Sequence, residues 1–411
     1  MHAVSRRNVD FVCALVIVGL LAGVAGLATT LLLRFIQHLT YHYTFGSLLE
    51  GVTGSSPVRR AVGPMVGAAL AGLGWWALRS RTDVPSLSAA IASGNRVRLL
   101  PFGVDAALQV LVVGSGASLG REGAPRQLAA ALGDFATGWL KRLSARDREI
   151  LLACAAGAGL SAVYAVPLGG ALFTLRIMLK TWHPRAVGAA LITSSLAVSV
   201  SSHITHNQPN LVWPNLHLPY LLIAYALVLA PLTCVVGLAF NRVMAAAQRA
   251  ALNRSWLLIP AIAGAGLLIG ICSHWWPELP GNGKSILTAS LASGMTLTTA
   301  AAVLALKPLL TAVFLRAGAT GGMLTPALAT GAAAGTLFVL SINAAAGTHF
   351  HVQAISLAGA AGVLAITQGT PFWAAIFVWE LARPPLWLLL VFLTTALGAY
   401  GIQQLVERDP G

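Results

Sequence analysis

Charge is what this chain of 411 residues has least of. Asp, Glu, Lys and Arg together make up 9% of it, with 12 acidic side chains in all, whereas a soluble domain is about one quarter charged. Residues 186–241 and 317–379 contain none of the four. That scarcity excludes a soluble helical protein, whose surface needs far more polar cover than this sequence can supply. Cysteine is scarce too. Cys13, Cys154, Cys234 and Cys272 are scattered in or beside apolar runs with no Cys-x-x-Cys spacing, and read as small buried hydrophobes rather than disulfide partners or ligands. No nucleophile–base set and no metal-ligating cluster stands at the segment ends, so a membrane enzyme is disfavoured and no metal or other cofactor is expected. His38 and His42 in "HLTYHYTF" have i, i+4 spacing without a third ligand, and with Tyr41 and Tyr43 they fit an aromatic belt at a span end.

Apolar residues fill the space that charge leaves, at 57%. A membrane-spanning helix takes about 20 largely apolar residues. Suitable runs are Phe11–Leu33, Ala61–Leu78, Ile150–Val163, Leu218–Phe240, Leu257–Cys272, Thr299–Phe314 and Leu386–Ile402. The chain therefore reads as an all-α polytopic membrane protein, a single membrane domain over 1–411. "SRRNVDFV" at 5–12 has the look of a twin-arginine export signal, but the apolar run behind it is too long and lacks a cleavage pattern. It reads as the first span.

The net charge of +14 points to the lipid surface rather than to nucleic acid, because the cations sit at segment ends. Arg6, Arg7, Arg79, Arg81, Arg96, Arg98, Lys141, Arg142, Arg146 and Arg148 fall on one face if Phe11–Leu33 crosses outward and 101–140 enters and returns. Arg34, Arg59 and Arg60 fall on the other. That asymmetry predicts a multi-pass protein of the plasma or inner membrane with a cytoplasmic N-terminus.

Two signals recur along the chain. "LSAVYAVPLGGALFTL" at 160–175 is matched by "LAITQGTPFWAAIFVW" at 364–379, and "LGREGAPRQLAAALG" at 119–133 by "TGGMLTPALATGAAAG" at 320–335. The prolines of each pair, Pro167 with Pro371 and Pro125 with Pro326, are about two hundred positions apart, which predicts two helical halves near 10–215 and 216–405. Repeated halves with Gly/Pro-interrupted segments are how many transporters build a midplane site. Each interruption predicts a helix starting inside the membrane, with unpaired N–H groups and about half a positive charge at its end. Such ends attract an anion without a buried lysine. Glycines at 318, 321 and 322 let the backbone come close to it. A small anion is the expected substrate.

Glu122 stands at one of these starts, beside Arg121. An ionisable group at membrane depth costs at least a few kcal/mol, which makes it a functional candidate. It can occupy the anion position when ionised and leave when protonated. Pairing with Arg121, or capping of the helix, are the structural alternatives.

"GSGASLGREGAPRQ" and "GATGGMLTPALATGA" resemble the two anion-site signatures of the CLC chloride channel and chloride/proton exchanger family. "YAVPLGGALF", "GTPFWAAIFVWEL" and the "GNGK" of 281–284 resemble further family segments, in the family's order, so the resemblance covers roughly 10–405. It implies a homodimer in which each subunit has its own anion path, with inverted halves whose broken helices meet at midplane. It implies that Glu122 is the gate. The anion sites it implies involve Arg121 and the amides of Gly123, Ala124, Met323 and Leu324.

Departures from the family pattern matter as well. In "RTDVPSLSAA", Thr82 takes the place of the family's ion-facing serine if Pro85 is the anchor, beside Asp83; Ser86 is the rival. Leu324 replaces a usual Phe. "GALFTLRIML" puts Arg176 and Ile177 where proton-exchanging members carry an inner glutamate, and Tyr400 falls too early to be the family's ion-contacting tyrosine. No cytoplasmic nucleotide-binding domain is expected. The resulting expectation is chloride transport that is passive or weakly proton-coupled. A proton-coupled chloride antiporter and a fluoride/proton exporter are the alternatives.

Overall fold

The computed structural model describes residues 2–93, 96–205, 210–214, 216 and 218–408. In chain order, α1 (His2–Tyr41), α2 (Leu48–Gly54), α3 (Pro57–Arg81), α4 (Leu87–Ser93) and α5 (Leu99–Gly114) come first. Then follow α6 (Gly123–Thr137), α7 (Ala145–Tyr164), α8 (Pro167–Phe173), a π-helical turn (Thr174–Met178) and α9 (Pro184–Thr205). The rest is α10 (Leu222–Arg249), α11 (Leu258–Cys272), α12 (Lys284–Leu291), α13 (Leu297–Arg316), α14 (Leu324–Ala346), α15 (Val352–Gln368), α16 (Pro371–Ala382) and α17 (Leu388–Arg408). The fold is all-α. Among the described residues, seven helices are long and apolar enough to cross a membrane.

The chain clusters into two compact units. The first comprises Met1–Leu32, Ala77–Val110 and Glu122–Asn210. Its core is built from α1, α7 and α9, which present small residues to one another, as closely packed membrane helices do. Gly26 abuts Ala162, and Gly23 abuts Val200. Around them Phe11, Leu15, Ile150, Leu151, Leu152 and Leu175 are almost wholly buried.

The second unit comprises Leu33–Trp76, Leu111–Arg121 and Leu211–Gly411. Its densest contact is between α14 and α15, where a Cβ on Gly359 would collide with the carbonyl oxygen of Gly331. Tyr41 lies here and is the member of the expected aromatic belt that the structure corrects. It is buried, and its hydroxyl reaches the Ser115 carbonyl at 3.4 Å. Cys154 and Cys234 are buried as expected, whereas Cys13 is exposed on α1.

The repeated sequence signals have repeated geometry. α7 ends on Ala165 in the left-handed region (φ 55°), followed by Val166 (φ −124°, ψ 72°) and Pro167 opening α8. α15 ends on Gly369 (φ 64°), followed by Thr370 (φ −141°, ψ 78°) and Pro371 opening α16. A left-handed residue stops a helix, and a proline whose missing N–H is not needed starts the next.

α7 opens with a reciprocal cap: Ser144 Oγ accepts from the Asp147 N–H at 3.1 Å, while Asp147 accepts from the Ser144 N–H and Oγ at 3.2 and 2.8 Å. Arg185 Nη2 lies 2.9 Å from the same carboxylate. Burial alone would push that carboxyl up; the Ser144 hydrogen bonds and the Arg185 charge outweigh it and hold it below the ordinary value. Stability from a depressed carboxyl is complete above the unfolded-state value near ~4 and is lost as pH falls through the folded value. The detergent melting temperature of the wild type should therefore fall more steeply from about pH 5 to about pH 3 than that of Asp147→Asn. Parallel falls in the two would rule this contribution out.

Candidate functional site

Two glycine turns lie in the second unit, one after α5 and one after α13. At the first, α5 closes with Gly116 at φ +116°, its N–H bonded to Val113 and that of Ala117 to Val112. At the second, α13 closes with Gly318 at φ +92°, with Gly318 bonded to Leu315 and Ala319 to Phe314. Both are the same glycine-terminated helix ending, and the positive φ is why glycine stands there.

Backbone left outside a helix at this depth must find partners within the protein. The turns supply them to each other. Gly120 N–H donates to Gly322 O at 2.6 Å, and Gly322 N–H donates back to Gly120 O at 2.9 Å, in a single antiparallel bridge. Gly281 N–H reaches Gly116 O at 2.8 Å. Ser118 Oγ lies 3.0 Å from Thr311 Oγ1.

Lys307 underlies this network. It is fully buried on α13, and its ammonium donates to the carbonyls of Leu279 and Gly281 at 2.9 and 2.6 Å. The sequence reading passed over it, because a lone lysine in an apolar run looks like an interfacial charge. Its one distinguishing signal was that it interrupts Leu297–Arg316 near the middle of the helix.

Directly after Arg121 the chain enters α6, in the first unit. Glu122 is the N-cap residue and is completely buried. Its side chain makes no capping hydrogen bond to α6, so the helix-cap alternative is not realised. Instead it accepts from the Tyr164 hydroxyl at 3.4 Å. Gly123 and Ala124 are the first two residues of α6 and Pro125 is the third. Arg126, one turn on from Glu122 and within its electrostatic reach, lays its guanidinium over Phe173 at 4.5 Å and points Nη2 at Met178 Sδ, 3.9 Å away. Tyr164 and Arg126 were missed. Tyr164 was legible as an aromatic just before the repeated Pro167, but nothing in the sequence told which way its hydroxyl would face.

In the second unit Met323 is the N-cap of α14, also without a side-chain cap, and Leu324 is its first residue and is buried. Pro326 is the third, as Pro125 is in α6. Gln248 Nε2 lies 3.6 Å from Met323 Sδ. Arg121 and Arg34 are within electrostatic reach of Lys284, which is exposed at the start of α12.

Thr82 and Ser86 stand in the segment between α3 and α4. Thr82 is partly exposed, with its hydroxyl 3.5 Å from the Asp83 carbonyl. Ser86 is exposed, and its Oγ accepts from the Ala89 N–H at 3.2 Å, a cap for α4. Ile177 lies in the π-helical turn, in which Thr174, Leu175, Arg176 and Met178 are its companions; no carboxylate is among them. Tyr400 lies within α17. Among the described residues there is no group of three side chains able to hold a metal ion.

Residues 67–404 match the family model described as voltage gated chloride channel. The voltage-gated ClC-type chloride channel ClcB of Escherichia coli (strain SMS-3-5 / SECEC) is 29% identical over 376 residues, 89% of each chain. The fold is similar to that of a slow cyanobacterial Cl−/H+ antiporter, with a TM-score of 0.79 at 20% identity over 97% of both chains. It is also similar to a CLC-type fluoride/proton antiporter, with a TM-score of 0.74 at 19% identity over 96% of this chain and 95% of that one. The paired glycine turns and the buried glutamate thus lie inside the matched region, and the chain belongs to the CLC, or voltage-gated chloride channel, family.

Proposed function

We propose that this chain carries chloride or a similar small anion across a membrane by a path that Glu122 gates, passively or with weak proton coupling. The observation that carries this reading is a carboxylate with no exposure at the start of a helix that begins inside the fold. The positive end of α6 attracts negative charge. An ionised Glu122 and a permeating anion compete for that potential, so protonating or displacing the carboxylate opens the path. The proposed anion ligands are the amides of Gly123 and Ala124 at the start of α6 and those of Met323 and Leu324 at the start of α14. Thr82 would add a hydroxyl. Positive charge on Arg34, Arg121 and Lys284 supports electrostatic steering of anions. Family membership supports a homodimer with one path per subunit, and the distribution of basic residues supports a cytoplasmic N-terminus in a plasma or inner membrane.

The second reading is a proton-coupled exchanger, favoured by the two similar folds that belong to antiporters. Against it, the π-helical turn offers Arg176 and Ile177 and no acid. Recording chloride and pH together in liposomes separates the two, with fluoride added as competitor. Weak coupling predicts chloride movement with little accompanying proton flux. Robust uphill proton movement driven by a chloride gradient would select the exchanger, and fluoride outcompeting chloride would reassign the substrate.

A further inference from the structure

Glu122 needs something other than the backbone of its own helix to define where its carboxylate rests, since it does not cap α6. Tyr164 is placed for that task. It is the last residue of α7, and it is 2% exposed. The left-handed Ala165 and the Pro167 that follow end the helix at this residue, which fixes the ring where α7 stops. Its hydroxyl lies 3.4 Å from Glu122 Oε2.

We propose that Tyr164 is a positioning residue for the gate, whose phenol holds the ionised Glu122 in its buried resting position. This rests on the reading of Glu122 as the gate. A hydrogen bond donated to a carboxylate is stronger than one shared with a neutral carboxyl. The phenol thus favours the charged, resting side chain over the protonated one that departs. Arg126 on the same helix also bears on Glu122, and Arg121 stands beside it in the chain. Both carry guanidinium groups. Tyr164 is therefore the neutral partner whose removal changes the gate's balance without changing the net charge nearby.

The test is anion flux against pH for the full chain in liposomes. Tyr164→Phe should keep the maximal flux and move the half-maximal point about one pH unit upward, a tenfold lower proton concentration, as expected for a lost hydrogen bond to a charged group. Replacing Tyr164 by 3-fluorotyrosine keeps the shape of the ring and makes the phenol a stronger donor. It should move the half-maximal point downward, and it gives a readout if Tyr164→Phe does not fold. In the Glu122→Gln background, Tyr164→Phe should have no effect on the pH profile. Unmoved half-maximal points in Tyr164→Phe and the fluorotyrosine protein, with Glu122→Gln flat, would overturn the role of Tyr164 and leave the gate intact. A pH profile unaltered by Glu122→Gln would overturn both.

Discussion

Glu122→Gln should carry anions at the same high rate from acid to neutral pH, whereas the wild type should slow as pH rises. The carboxylate is wholly buried at a helix start, where leaving an ionised group costs at least a few kcal/mol unless it meets fixed positive potential. The start of α6 supplies that potential, and the phenol of Tyr164 supplies a hydrogen bond. Glutamine has nearly the same shape and no charge, so the helix end no longer retains it. A single titrating gate changes wild-type flux by at most about tenfold per pH unit, and the variant should lose that dependence entirely. Glu122→Ala should behave alike, because it removes the carboxylate without adding an amide donor. Retention of the wild-type profile in both variants would mean that another group senses protons.

The parts of the fold that depend on polarity and on helix-stopping residues were readable from the sequence. The interruptions at Gly120–Pro125 and Gly318–Pro326 predicted new helix starts, and α6 and α14 begin at them with their prolines in matching third positions. The alignment of Pro167 with Pro371 was read as a repeat, and the backbone angles before the two prolines agree closely. These features are local, set by which residues can adopt a given φ or dispense with an N–H.

What escaped the sequence is non-local. Gly120 and Gly322 exchange hydrogen bonds across two hundred positions; their stretches were legible as a matched pair, but not which backbone groups would bond to which. Lys307 finds its carbonyls in the loop before α12, and Tyr164 finds Glu122 only once α7 has been stopped at its last residue. Tyr41 looked interfacial because it follows a long apolar run, yet it is buried beneath Ser115. Helices α14 and α15 lie in the charge-free stretch 317–379, within which no apolar run was assigned as a span.

The largest change in anion occupancy should appear in the same Glu122→Gln protein. If the start of α6 is an anion site that a carboxylate guards, removing the guard's charge leaves the amides of Gly123 and Ala124 to a permeating ion. Those amides belong to the first turn of α6, where N–H groups have no partner four residues earlier in their own helix. Bromide is close to chloride in size and charge and scatters anomalously. The decisive measurement is therefore the anomalous density of bromide in crystals of Glu122→Gln grown near neutral pH. A bromide peak within hydrogen-bond distance of the Gly123 and Ala124 amides is the expected result; bromide bound elsewhere in the protein, with none at the start of α6, would contradict the account.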